Sequence, residues 1–263
     1  MATKCPHCGS ERVELRASVG GTGKRFRCDS CLKAWTTGTG SRSGRAGGAR
    51  GARNPGFPSV AVLTPEEAQE RFEMLLSAHA RSGAAATDVE RKWRDEMSAA
   101  LSRDAIGSAG LEVFKEIATS KSVATTGPQT AFYKELIKLG DEEGGRKARE
   151  TAQFLLYGDD GSLAERLTAL IDGGERGMPG FREALLTKIL AISEPTKFLP
   201  ILTAKGKAAF VQHIWGVKIE ADKKQSSGDA IVATNDALVE RLAPTFPDLL
   251  DAAAFLWWSQ THP

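Results

Sequence analysis

Four cysteines lie within the first 31 residues of this 263-residue chain, and they are its complete cysteine content. They form two Cys-x-x-Cys knuckles separated by the 19 residues from 9 to 27. A two-residue gap lets both thiolates of a knuckle bind one ion, and the intervening segment is long enough for a hairpin. The spacing predicts one tetrahedral Zn²⁺ with the ligands Cys5, Cys8, Cys28 and Cys31. Because four protein ligands leave no position for water, we expect this zinc to be structural.

Two disulfides and a redox pair are the alternatives for the same cysteines. Disulfides suit secreted proteins, but the N-terminus has no apolar signal segment, so we expect a cytoplasmic, reducing environment. A thioredoxin-type motif needs one Cys-x-x-Cys in a βαβ setting rather than two knuckles. His7 lies inside the first knuckle and could replace a thiolate, but with four cysteines present we expect it to be a bystander.

The residues between the knuckles favour a small β-sheet. Apolar and charged residues alternate from 13 to 17, the glycine-rich segment 20–23 can turn the chain, and residues 25–27 lead back to the second knuckle. So short a unit has too little apolar area for a core of its own. We therefore predict a zinc ribbon over residues 1–35 whose folding depends on the metal.

The end of this segment has the pattern Phe-x-Cys-x-x-Cys-x-x-x-Trp, formed by Phe26, Cys28, Cys31 and Trp35. In this respect residues 5–35 resemble the zinc ribbons of transcription factors, RNA polymerase subunits and transposases. Transcript-cleavage ribbons carry an adjacent Asp-Glu pair in the hairpin loop, whereas the loop from Gly20 to Lys24 has no acidic residue. The resemblance implies a structural zinc site in a small β fold, without that cleavage activity.

Charge is distributed unevenly along the chain. Residues 1–57 hold 11 Lys and Arg against 3 Asp and Glu, a balance of +8, and the rest of the chain has a balance of −6. The segment 36–62 is rich in Gly, Ser and Arg and lacks apolar periodicity, so it predicts a flexible linker.

Cations in the ribbon and linker are the candidate contacts to nucleic-acid phosphates. These residues are Arg16, Lys24, Arg25, Arg27, Lys33, Arg42, Arg45, Arg50 and Arg53. In the alternative interpretation the ribbon cations merely solvate one sheet face, and the linker arginines keep a plain tether in solution.

From residue 63 onward the pattern is that of helices. Thr64, Thr87 and Ser162 each precede a Glu by three residues, which is the capping-box signature of a helix start. Apolar periodicity predicts further helices near 109–119, 129–139, 142–157, 180–192, 203–215, 229–242 and 246–260. The fold class is therefore mainly α, with a small N-terminal β zinc ribbon, the linker, and an all-α domain over residues 63–263. No apolar run is long enough to span a membrane.

Apolar stripes identify the buried faces of the first helices. The predicted stripes are Phe72, Leu75, Leu76 and His79; Val89, Trp93, Met97 and Leu101; and Leu163, Leu167, Leu170 and Ile171.

The helical segment lacks the common catalytic motifs, such as a phosphate-binding loop, HExxH or GxSxG. Acidic residues at 141–143, 159–160 and 172 could form a hydrolytic metal site, but their neighbouring glycines favour helix ends and turns. His213 lies on an apolar stripe, and we expect a hydrogen-bonded packing residue there. We predict no catalytic residues.

A Gly-Met-Pro-Gly segment at 177–180 has a faint likeness to the phosphate-binding turn of a helix-hairpin-helix, although a simple helix-joining turn is favoured. Three features follow in order: an apolar helix at 185–190, a proline-rich turn at 194–202 and a Phe-Leu-Trp-Trp helix at 254–258. This order resembles the helical region associated with McrB-type restriction and phage-defence ATPases. The resemblance implies a module that works with nucleic acid or with a partner enzyme.

The sequence thus predicts a non-enzymatic zinc-ribbon protein that binds nucleic acid, as an accessory factor in transcription, restriction or phage defence. One alternative is a protein-interaction adaptor that docks a larger nucleic-acid-processing complex through its helical domain. Another is a nuclease with an unrecognised acidic metal site.

Overall fold

The computed structural model describes residues 62–127, 129–173, 177–219 and 225–262, together with residues 4, 10 and 11 and three N-terminal strands. The chain divides into two compact units, Met1–Asn54 and Pro55–Pro263.

The N-terminal unit contains an antiparallel sheet in the order β1–β2–β3. Its strands are β1 (Val13–Val19), β2 (Gly23–Cys28) and β3 (Ala34–Thr37). The predicted glycine-rich turn at 20–23 lies outside the described residues except for Gly23, the first residue of β2, and β3 ends two residues beyond the predicted end of the ribbon. The pairing of β1 and β2 shifts between Leu15 and Ala17, which places a bulge at Arg16.

The second unit is all-α over its described residues, as predicted. Its helices are α1 (Pro65–Ser82), α2 (Asp88–Ala100), α3 (Leu111–Thr119), α4 (Thr130–Tyr157), α5 (Leu163–Ile171), α6 (Glu183–Ser193), α7 (Ala204–Trp215), α8 (Ser227–Leu242) and α9 (Leu249–Ser259). All three predicted capping boxes are present, with Thr64, Thr87 and Ser162 accepting from the backbone N–H three residues later. Local side-chain chemistry therefore fixes where α1, α2 and α5 begin.

Three features differ from the sequence-based expectation. The helices predicted at 129–139 and 142–157 join in α4 across a kink at Gly140, whose φ is 75°. Helix α6 begins at Glu183 rather than 180, because Gly180 has φ 100° and belongs to the preceding turn. Val89 was expected to be buried but is 75% exposed, because α2 packs through its later turns around Trp93 and Met97.

Buried side chains form two apolar cores within the helical unit. The first is centred on α3 to α6 and includes Phe114, Phe132, Leu155, Leu185 and Ile189. The second joins α1, α7, α8 and α9 and includes Phe72, Phe210, Ile214, Leu238 and Phe255. Helix α8 contributes to both, with Ile231 in the first core and Leu238 in the second.

A buried amide fixes the connection between α6 and α7. Asn235 of α8 is fully buried, and its Oδ1 accepts hydrogen bonds from the backbone N–H of Leu199 at 3.1 Å and from Nζ of Lys207 at 2.9 Å. Its Nδ2 donates to the carbonyl of Lys197 at 2.7 Å. One side chain thus ties α8, α7 and the segment 197–199 together, and satisfies polar groups that burial would otherwise leave unpaired.

Helices α5 and α8 approach very closely at Gly228. A Cβ at this position would lie 1.8 Å from the carbonyl oxygen of Ala164 and 2.6 Å from Oγ1 of Thr168. The backbone N–H of Gly228 donates to the same Thr168 hydroxyl at 3.2 Å. Glycine is therefore required by the distance between the two helices.

Replacing Gly228 by alanine should push α5 and α8 apart. Overpacking of this kind costs about 1–3 kcal/mol, and contact with a backbone oxygen places the change at the upper end. Gly107→Ala is the matched control, because its added methyl would meet Gln153 at an ordinary 3.7 Å. Thermal unfolding, followed by circular dichroism of the helices, should show a much lower melting temperature for Gly228→Ala and little change for Gly107→Ala. Equal melting temperatures for the two variants would contradict the proposed close contact.

Candidate functional site

Most of the predicted zinc ligands lie outside the described residues, as do Lys33, Arg42, Arg45, Arg50 and Arg53 of the predicted nucleic-acid contacts. Cys5, Cys8 and Cys31 belong to this group, whereas Cys28 is the last residue of β2 and pairs with Val13. The second knuckle therefore begins where the strand ends, a position compatible with a ligand at the edge of a small sheet. The four-cysteine zinc site stays a prediction.

The other predicted cations occupy β1 and β2, and the strand register relates them to one another. Arg25 pairs with Ala17 on one side and with Thr36 on the other, whereas Arg27 pairs with Glu14 and Ala34. Residues two apart in a strand belong to the same face, and so do directly paired residues. Arg25 and Arg27 therefore form a row on one face of β2.

Phe26 stands in the opposite row. It pairs with Leu15 of β1 and with Trp35 of β3, which makes an apolar row across all three strands. Lys24 and Cys28 belong to this second face of β2 by the same alternation. One face of β2 consequently holds Phe26, Lys24 and the predicted metal ligand Cys28, and the other face holds Arg25 and Arg27.

Arg16 lies at the bulge of β1, between the pairs Leu15–Phe26 and Ala17–Arg25. A bulge sets one residue outside the regular pairing and increases the local twist of the strand. Three of the predicted contacts, Arg16, Arg25 and Arg27, therefore occupy neighbouring register positions, although they come from two strands.

The acidic residues considered for a hydrolytic site are engaged at helix termini and on helix surfaces. Asp172 is the C-cap of α5, and its carboxylate accepts from the hydroxyl of Ser227 at 2.8 Å and from the Ser227 backbone N–H at 3.3 Å. It therefore ties the end of α5 to the beginning of α8. Asp159 and Asp160 lie in the exposed turn between α4 and α5.

The acidic run at 141–143 follows the Gly140 kink and borders a shallow surface depression with Leu139 and Arg146. Glu143 forms an ion pair with Arg146, and this hydrogen bond lowers the pKa of the Glu143 carboxyl. The same arginine also pairs with Glu150 one turn later. The run therefore belongs to an ion-paired helix surface, and among the described residues no three His, Cys, Asp or Glu side chains are grouped as metal ligands would be.

Two lysines of the helical unit are fully buried, which the sequence analysis does not predict. Lys207 of α7 has no exposed surface, donates to Asn235 and lies 4.9 Å from the ring centre of Phe198. Burial lowers its pKa to about 7, against the opposing effect of Glu183 and Asp236. Glu183 is itself bonded to the backbone N–H of Ala204 at the start of α7.

Lys188 of α6 occupies a similar position in the first core. Its Nζ donates to the carbonyl of Ser120 at 2.7 Å and lies 5.1 Å from the ring centre of Trp93. Burial lowers its pKa to about 8, opposed by the charge of Glu116. Glu116 also accepts from the indole N–H of Trp93, at 2.8 Å. The sequence does hold a signal for both lysines. Lys188 interrupts the mainly apolar run 185–192, and Lys207 stands three and four residues before Phe210 and Val211, on the apolar stripe of α7.

The aromatic residues of α9 are divided between core and surface. Phe255 and Leu256 are fully buried, whereas Trp257 is 44% exposed and meets Phe210 edge to face at 5.2 Å. Trp258 is half-buried.

His213 is a packing residue, as predicted. It is buried in α7, and its Nε2 lies 2.8 Å from the carbonyl oxygen of Ser259. Because a carbonyl can only accept, the neutral ring carries its proton on Nε2.

The Gly-Met-Pro-Gly turn also has a structural role. Its Met178 N–H donates to the hydroxyl of Thr151, and the N–H groups of Phe181 and Arg182 donate to carbonyls of the turn, those of Met178 and Gly180. Gly180 lies against the backbone of Phe132, where a Cβ would be 2.5 Å from the nitrogen. The helix-joining interpretation is therefore confirmed.

No protein-family model, characterised protein or solved structure matches the chain. Within the part of the chain that the structure describes, no helix has the length and apolar character needed to cross a membrane.

The buried Lys207 predicts a specific pH dependence of stability. Its pKa is about 7 in the folded protein and 10.5 as a reference, so between these values the unfolded chain binds more protons than the folded one. The free energy of unfolding should therefore rise as pH increases from 7 towards 10.5. Chemical denaturation of the helical unit, followed by circular dichroism, measures this rise.

Lys207→Met should remove part of the rise and be at least as stable as the wild type near neutral pH, since a methionine carries no charge to bury. Lys205→Met, two residues away at an exposed position, is the matched control. An unchanged slope for Lys207→Met would show that this amine does not titrate in the folded protein over that range.

Proposed function

We propose that the protein is a non-enzymatic nucleic-acid-binding protein whose N-terminal unit is a zinc ribbon with Cys5, Cys8, Cys28 and Cys31 as ligands. The metal would hold the two knuckles together, and the arginines of the strands would contact backbone phosphates. The observation that carries the proposal is the row of Arg25 and Arg27 on one face of β2, next to Arg16 at the bulge.

The two arginines of this row differ in their electrostatic surroundings. Arg27 stands directly opposite Glu14, and opposite charges in paired positions attract each other. Arg25 stands between Ala17 and Thr36, neither of which carries a charge. Arg25 thus has an uncharged residue in each of its two paired positions, and we assign it the stronger contact to phosphate.

The linker cations Arg42, Arg45, Arg50 and Arg53 extend the proposed interface, together with Lys24 and Lys33 of the ribbon. Arginines separated by small residues bind phosphate without reading base sequence, so affinity should depend steeply on salt. The sequence after residue 57 has a net negative charge. The helical unit is therefore poorly suited to binding phosphate. We propose that it acts in contacts with a partner protein, as an accessory factor in a cytoplasmic process such as restriction or phage defence.

A protein-interaction adaptor is the second candidate, and Trp257 is the observation that favours it. Its side chain is 44% exposed on a helix whose other aromatic residues are largely covered. Exposed tryptophans are enriched at binding surfaces, where they supply a large contact area.

Removing the second zinc knuckle should abolish or alter nucleic-acid binding. The measurement is the affinity of zinc-loaded full-length protein for duplex DNA, single-stranded DNA and RNA across a salt series, beside the variant with Cys28→Ser and Cys31→Ser. We expect salt-sensitive binding that the variant loses, because the ribbon should unfold without its metal. Absence of binding by the wild type at low salt would overturn the proposal in favour of the adaptor.

Single substitutions in β2 should separate the two arginines. Arg25→Gln removes one phosphate contact and should reduce the slope of log affinity against log salt by about 0.7–0.9. Arg27→Gln should have a smaller effect, and Glu14→Gln should increase affinity, because the carboxylate opposite Arg27 is lost. Lys92→Gln, at an exposed position of α2 with an i,i+4 carboxylate partner, is the control of equal charge change. A loss of affinity in Lys92→Gln as large as that in Arg25→Gln would argue against the assigned face.

A further inference from the structure

The three histidines among the described residues converge on one helical turn. His79 of α1 meets the Trp258 ring edge to face at 5.3 Å, and His213 of α7 lies 2.8 Å from the carbonyl oxygen of Ser259. His262 stacks on Trp258 with a centroid distance of 4.1 Å and an interplanar angle of 9°. They come from different parts of the chain, and all three contact the last turn of α9 or its end.

His79 is placed so that only its neutral ring is accommodated. The residue is 8% exposed, its ring also meets Phe255 at 5.3 Å, and its buried Nε2 has no hydrogen-bond partner. A protonated ring would present an N–H to this apolar surrounding, at the cost of an unsatisfied buried charge. Burial lowers the pKa of His79, and the charge of Asp251 on α9 opposes this effect.

Asp251 is not available as a direct partner for that proton. Its Oδ1 already accepts from Nη2 of Arg91 at 2.7 Å and from the backbone N–H of Ala86 at 3.2 Å. The same arginine also pairs with Asp248, the N-cap residue of α9. The carboxylate that faces His79 from α9 is therefore largely neutralised by α2.

The His213 ring has a hydrogen bond that fixes its tautomer. Its surroundings nevertheless disfavour the protonated, charged form of the ring. Nε2–H donates to Ser259, so protonation would add a second N–H at Nδ1 inside the core. The guanidinium of Arg71, whose Nε donates to the backbone oxygen of His213 at 3.1 Å, repels that charge. Burial, together with Arg71, lowers the pKa of His213, whereas the bond to Ser259 acts in the opposite direction.

We infer that His79 and His213 form an acid-sensitive histidine latch that holds the last turn of α9 against α1 and α7 when both rings are neutral. Protonation of both rings puts one positive charge beside Trp258 and another beside Ser259. The turn then separates from α1 and α7, and both rings reach water. The aromatic end of α9, including the already exposed Trp257, becomes accessible as a result.

The direction of the effect follows from proton linkage. Both histidines have a folded pKa below the reference value of 6.5, so the unfolded or locally opened state binds more protons as pH falls through that region. The latch is closed above pH 6.5 and weakens below it. His262, by contrast, is exposed at the surface.

Hydrogen exchange of the full-length protein tests the latch directly. After correction for intrinsic rates, amides of residues 256–260 should exchange about fivefold faster or more at about pH 5.5 than at about pH 7.5. Amides of α3, which lies in the other core and contains no histidine, should not show this acceleration. Equal protection of the α9 amides at both pH values would overturn the inference.

Substitutions identify the groups responsible. His79→Phe keeps an aromatic ring against Trp258, and His213→Gln keeps a donor for Ser259, so the double variant should lose the pH dependence of exchange. His262→Gln, which changes the exposed ring on the same tryptophan, should retain it. A double variant with the wild-type pH dependence would contradict the latch.

A titration of the wild-type imidazole C2–H resonances by NMR gives an answer even if the double variant does not fold. Both His79 and His213 should titrate below 6.5, the reference value, whereas values at or above it for the pair would overturn the inference.

Discussion

The buried amide of Asn235 is the interaction on which the helical unit depends most. It lies where α7, α8 and the segment after α6 meet, and it satisfies one lysine and two backbone groups at once. Loss of such a side chain would leave several buried polar groups without partners, which is more costly than loss of an apolar contact. The two apolar cores are therefore joined by a polar connection as well as by shared helices.

Buried ionisable groups recur throughout this unit, and each is placed where its charged form is disfavoured. Lys188 and Lys207 have no exposed surface, and His79 and His213 are nearly as buried. Most of these groups bond to backbone carbonyls or to a neutral amide rather than to a carboxylate. This arrangement makes the stability of the helical unit sensitive to pH at both ends of the range.

The two units differ in the chemistry they offer to other molecules. The N-terminal sheet has neighbouring arginines on two strands and a cysteine at the end of β2, which suits phosphate contact and metal binding. The helical unit has ion-paired acidic surfaces and one exposed tryptophan on its last helix. The proposed division of labour, with nucleic acid at the sheet and a partner protein at the helices, follows from this contrast.

The sequence by itself determined the elements whose signals are local. Capping boxes at Thr64, Thr87 and Ser162 identified three helix starts because the cap bonds involve residues only three apart. Alternation and glycine placement likewise predict a small antiparallel sheet, and cysteine spacing predicts the metal ligands without reference to the rest of the fold. Tertiary structure alone decided which long-range partners meet: Lys207 with Asn235, Gly228 with Ala164, and the histidines with α9. Periodicity could not reveal these pairs, because it shows which face of a helix is apolar but not which helix covers it. Val89 is exposed for the same reason. It belongs to the first turn of α2, whereas Trp93 and Met97 of the later turns pack against the first core.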